Sequence, residues 1–163
     1  MAIVSVLLIA LAANAGPENA TVQTPTAAQN LIGKSLCAVP KEVPTYGLPI
    51  GGDFLLKNIR FEGAEVVALV AQSSGAAKCT DKILAVLNVP AMRRGEFIVF
   101  ECWHRASKRP VIAPGIVGLG TNLRGRRRQR IFVPRLAWTA DTKSNSFYKL
   151  DAKTVKCELV GED

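Results

Sequence analysis

The residues best suited to chemistry lie at 124–130, where Arg124, Arg126, Arg127, Arg128 and Arg130 place five guanidinium groups in seven residues. Like charges this dense repel one another in water, by about 1 kcal/mol for a pair 4 Å apart. A polyanion relieves that repulsion and releases its own counterions as it binds. Arg105, Lys108 and Arg109 are read as support for the same anion-binding patch, close in sequence to Trp103. Aromatic and basic residues together suit glycans or unstacked bases. The competing reading makes the arginine run a solvated hairpin loop. It also places Trp103 and Trp138 in the core, because Trp103 ends an apolar run and Trp138 alternates with Leu136.

Catalytic patterns are thin by comparison. His104 is the only histidine, so any histidine-dependent mechanism passes through it. On a strand, Cys102 and His104 share one face, and a thiolate–imidazolium pair there needs Cys102 as a free thiol. A GxSxG nucleophile context is absent from the sequence,. One histidine and no cluster of carboxylates leave no metal-ligand pattern. Glu62 and Glu65 flank a turn and Asp53 follows two glycines, so no acid pair with a glycosidase's separation is legible,. Gly33-Lys34-Ser35 ends like a phosphate loop, yet Ala28 stands where the first glycine belongs,. In residues 115–120 (GIVGLG) a dinucleotide loop started at Gly118 would need glycine where Leu123 stands,. Both glycine motifs read as turns or close backbone contacts. The expectation is a protein without catalytic residues, cofactor or metal.

What could hold these residues in place is set first by the N-terminus. Ile3 to Ala13 is an almost unbroken apolar run, followed by the small residues Ala13-Asn14-Ala15. That reads as a signal peptide over 1–15, too short to span a bilayer. It predicts an exported protein, periplasmic or secreted, with no integral membrane span in the mature chain. Such a compartment lets cysteines persist as disulfides. Cys37, Cys79, Cys102 and Cys157 are even in number and contain no CxxC, so two disulfides are expected,. Three pairings are open, and Cys37–Cys79 with Cys102–Cys157 is the preferred one.

Charge is concentrated in one region. Between Arg93 and Arg135 the chain has 11 Lys or Arg against the acids Glu96 and Glu101, a local charge of +9 within a net +8. Residues 16–30 are Ala, Thr, Gln, Pro and Asn with one acid, Glu18, and read as a flexible leader,. Residues 31–163 then make one domain.

Short apolar runs separated by nine prolines and 13 glycines dominate that domain. Phe54–Phe61 and Glu65–Ala71 read as a hairpin around Glu62-Gly63-Ala64. Ile83–Val89, Glu96–Trp103, Val111–Leu119, Arg130–Val133, Leu136–Asp141, Ser146–Leu150 and Thr154–Leu159 read as further strands. The run Phe97-Ile98-Val99-Phe100 points to a central strand buried on both faces. A short helix over Thr80–Leu87 is the local rival. The fold class expected is all-β, or β-rich α+β, as a small sandwich or partly open barrel of antiparallel strands. The functional expectation is a non-enzymatic exported protein that binds anionic lipid, glycan or another polyanion through the arginine-rich loop. The alternative is an accessory domain of a cell-envelope assembly, docking on an acidic envelope protein.

Overall fold

The structure, a computed structural model, describes residues 27–39, 44–73, 81–108, 114–124 and 130–158. It is all-β, with two antiparallel sheets, one of which curls into a half-barrel. The first sheet is β1 (Pro44–Gly51), β2 (Phe54–Phe61), β3 (Ala64–Ala71) and β4 (Lys82–Asn88), in that spatial order. The second contains β5 (Glu96–His104), β6 (Ile116–Arg124), β7 (Arg130–Asp141), β8 (Ser146–Leu150) and β9 (Val155–Cys157), in the order β8-β7-β6-β5-β9.

Alternation of side chains builds three cores from these two sheets. Leu56, Val67, Leu69 and Leu87 of the first sheet meet Phe100, Val117, Leu119 and Trp138 of the second. On the outer face of the first sheet, Leu55, Ile59, Ala68, Val70 and Ile83 are covered by Leu31 and Val39. Residues 33–36 dock there along the β4 edge: Gly33 N–H donates to the Ile83 carbonyl at 2.8 Å, and Ile83 N–H donates to that of Lys34 at 3.0 Å. Ala27–Leu31 forms a 3-10 helix with Ala28 and Leu31 buried, so ordered structure includes residues 27–30 that the sequence reading places in the leader. The third core is supplied by one sheet alone: Val99, Cys102, Ile116, Phe132, Ala137, Val155 and Cys157. A sheet can enclose such a cluster only by curling around it, and this is the half-barrel.

The expected hairpin at 62–64, the strand over 83–89 and the buried strand at 96–103 are all present, the second as a strand and not the rival helix. β5 buries Val99 toward the half-barrel and Phe100 between the sheets. Two runs expected as separate strands, Arg130–Val133 and Leu136–Asp141, are one 12-residue strand, β7. Pro134 lies at a bulge in that strand, where a residue without an N–H is tolerated,. β6 occupies 116–124 where the sequence suggested 111–119. β1, not singled out from sequence, is a Pro- and Gly-rich edge strand,.

One disulfide, Cys102–Cys157, stands among the described residues, where the sequence reading expected two. It joins register partners on β5 and β9, with Cα atoms 4.0 Å apart. Cys79, the partner expected for Cys37, lies outside the described residues, as do 1–15 and the rest of the expected leader.

Candidate functional site

The arginine-rich segment 124–130 is bounded in the sequence by β6 and β7, which run past the rest of their sheet. β5 pairs with β6 only as far as Glu96↔Thr121, and β8 pairs with β7 only from Ala137 onward. Beyond these limits, among the described residues, β6 and β7 pair only with each other, through Asn122↔Phe132, Leu123↔Ile131 and Arg124↔Arg130. The result is a two-stranded arm that projects about 10 Å past the start of β5, at roughly 3.4 Å per residue. Its last register pair consists of two arginines.

A bulge at the base of the arm fixes its chemistry. Leu119 pairs with Leu136 and Gly120 with Pro134, which leaves Arg135 as the extra residue on β7. A bulge re-aims its side chain. Here the Arg135 guanidinium turns onto Glu96, with Nε donating to Oε1 at 2.5 Å and Nη2 donating to Oε2 at 2.8 Å. The Glu96 side chain is 3 % exposed and also accepts the Arg93 N–H at 2.8 Å. The Arg135 hydrogen bond, then that of Arg93, holds the Glu96 carboxyl down from 4.5 to about 2. Arg135 is correspondingly raised.

Glu96 therefore ties together a bulge and a turn. In the turn its N–H donates to the Arg93 carbonyl at 3.0 Å, with Gly95 at φ 81°, a value that favours glycine,. Arg93 and Arg94, both exposed, are thereby held beside the base of the arm. Together with Glu96, Gly120, Thr121, Val133, Pro134 and Arg135 they line an open depression of about 370 Å³. Glu96 is the only acid among these lining residues, and Arg135 already neutralises it. Arg93 and Arg94 give the depression its net positive charge.

This ion pair makes a pH-dependent contribution to stability. The folded-state pKa of Glu96 lies below its ordinary value, so the unfolded chain binds more protons between them. The contribution is complete above about pH 4.5 and is lost as pH falls toward about 2. Glu96→Gln is expected to lower the urea midpoint at pH 7, and the gap to wild type should close near pH 2. Unfolding curves at pH 7, 4 and 2 measure this. A gap that persists unchanged at pH 2 would contradict the assignment.

Comparison with protein-family models, with curated proteins and with solved structures finds no match to this chain.

The residues expected to form one patch are not all brought together. Arg124 and Arg130 close the arm by backbone register, whereas Arg126, Arg127, Arg128 and Arg109 lie outside the described residues. Arg105 and Lys108 follow the opposite end of β5, about 26 Å from Glu96 along the strand,. Arg105 is also engaged, with Nε donating to the Val155 carbonyl at 3.1 Å and its N–H to that of Thr154 at 2.8 Å. Arg93 and Arg94, which the sequence reading counted only as charge, stand nearer the arm.

Trp103 and Trp138 are buried, at 6 % and 7 % exposure, and neither offers a stacking platform to a glycan or a base. Lys156 Nζ lies 5.4 Å from the Trp103 ring centroid. Cys102 is bonded to Cys157, so the pairing of a thiolate with exposed His104 has no thiol to use. Glu65 is engaged by Arg60 at 2.8 Å. Ser35 of the Gly33-Lys34-Ser35 motif caps a short 3-10 helix by accepting the Cys37 N–H. Gly118 and Gly120 are close-approach positions within β6, as the sequence reading expected of the glycine run. Among the described residues no group of three or more His, Cys, Asp or Glu could hold a metal ion. Among them, too, no helix is long and apolar enough to cross a membrane.

Proposed function

We propose that this chain is a non-enzymatic exported protein that holds an anionic surface or polymer with the basic end of its β6–β7 arm. The observation that carries the reading is the terminal register pair Arg124↔Arg130. It sets the two ends of the arginine-rich segment side by side, beyond every other strand of the sheet. Three more arginines, Arg126, Arg127 and Arg128, lie between them in the sequence. Cations grouped at a projecting end meet a large anionic surface without a cleft, and each contact releases counterions. Arg93 and Arg94 extend the positive field along the base of the arm.

Binding to lipopolysaccharide, anionic vesicles and DNA at low and physiological salt tests this reading. The variant carrying Arg126→Ser, Arg127→Ser and Arg128→Ser is compared with wild type. Wild type should bind at least one of these anions at physiological salt, and the variant should bind about tenfold more weakly or worse. On DNA, the log–log salt slope should fall by about 3 if all three arginines contact phosphate. Weak binding to all three ligands, equal for wild type and variant and abolished by salt, would refute it.

A further inference from the structure

The arm carries more than charge. Leu123, Ile131 and Val133 are 55 %, 51 % and 40 % exposed, and the first two are direct register partners. Val133 pairs with Thr121, so all four residues share one face of the ribbon. This is the face that, farther along β6 and β7, presents Val117, Leu119 and Trp138 to the other sheet. Past the bulge the same face continues with no strand of the described residues opposite it. On the opposite face Phe132 is buried in the half-barrel core, edge-to-face with Phe97 at a centroid separation of 5.2 Å. The arm is thus anchored by one face and leaves an apolar strip on the other. Arg93 and Arg94 flank the strip at its base, and the Arg124↔Arg130 pair follows one register step beyond Leu123↔Ile131, on the alternate face of the ribbon.

We infer that this strip inserts between the headgroups of an anionic lipid surface, with Arg93 and Arg94 beside it on the headgroup phosphates. The inference rests on the anion-binding reading above and names the class of anion. An apolar face bordered by cations is the composition of an interfacial membrane anchor. A soluble polyanion offers nothing to half-exposed Leu and Ile. A single-stranded nucleic acid would call for aromatic side chains in the strip, where there are none, and a duplex offers phosphates but nothing to the exposed Leu and Ile,. A second copy of this chain would bring two arginine-rich ends together, at a repulsive cost. An anionic lipid matches both chemistries at once.

Sedimentation with vesicles, one set pure phosphatidylcholine and one containing phosphatidylglycerol, tests this, with heparin as an anion that has no acyl chain. The full chain is used throughout, so any lipid affinity of its N-terminal apolar run is common to every variant. The readout is the gain in binding from neutral to anionic vesicles. Leu123→Thr with Ile131→Thr keeps β-forming side chains at a cross-strand pair and removes the apolar ends. It should weaken binding to anionic vesicles about tenfold and leave heparin binding unchanged. Leu123→Trp should tighten vesicle binding severalfold. Equal vesicle binding by wild type and both variants, with heparin still bound, would overturn the lipid assignment and leave the anion reading standing. Absence of binding to heparin and to anionic vesicles alike would overturn both. A dimer dissociated by the Thr pair would assign the strip to a second copy and overturn the lipid assignment.

Discussion

Gly120→Ala is expected to unfold the domain or to cost at least about 3 kcal/mol of stability, the upper range for overpacking. A Cβ at this position would lie 2.0 Å from the Val133 carbonyl oxygen and 2.8 Å from the Pro134 Cα. Both neighbours are backbone, so no rotamer change relieves the overlap. Relief requires β6 and β7 to separate at the bulge, where Arg135 is aimed at Glu96. Gly118→Ala meets softer neighbours, the Cys157 and Cys102 sulfurs at 2.9 and 3.0 Å and the Phe132 ring at 3.1 Å. Its cost should be smaller, about 1–3 kcal/mol. Urea unfolding of the two variants ranks them. If Gly120→Ala were no worse than Gly118→Ala, the bulge geometry described here would be wrong.

Replacing Cys102 and Cys157 together by Ala is expected to remove about 4 kcal/mol. That is the chain-entropy value for a cross-link spanning 55 residues,. The native side of the balance points the same way. β9 has only three residues, and two of them, Val155 and Cys157, are buried in the half-barrel core. A strand this short holds few backbone hydrogen bonds, so the covalent link does much to keep it on β5. Hydrogen exchange should show β9 opening far more often in the variant, while β2 and β3 follow the global stability. Identical β9 protection in both proteins would show that packing alone retains the strand.

Strands whose signal is local were legible in the sequence. Phe54–Phe61 and Ala64–Ala71 announce themselves by apolar content around Glu62-Gly63, and β9 by the alternation of Val155, Lys156 and Cys157. β1 was not, because Pro44, Gly47, Pro49 and Gly51 erase the apolar pattern that an edge strand does not need,. Pro134 read as a break between strands because a bulge and a turn use the same residue. The Glu96–Arg135 pair, 39 residues apart, was invisible, since a bulge sets it and bulges depend on pairing register. The same register explains the grouping of cations. Arg105 follows Trp103 closely in sequence, yet the antiparallel pairing of β5 and β6 places it at the end away from Arg124. The arm's apolar strip was missed for a related reason. Leu123, Ile131 and Val133 look like core residues until the pairing shows that no described strand lies opposite them.

The central claim is that anions meet this protein at the projecting end of β6 and β7. Hydrogen exchange with and without saturating heparin, at physiological salt, measures this directly. Amides of residues 120–124, 130–133, 135 and 93–96 should slow, whereas those of 104–108 at the far end of β5 should be unchanged. Protection confined to 104–108, or spread evenly over both ends, would contradict the claim.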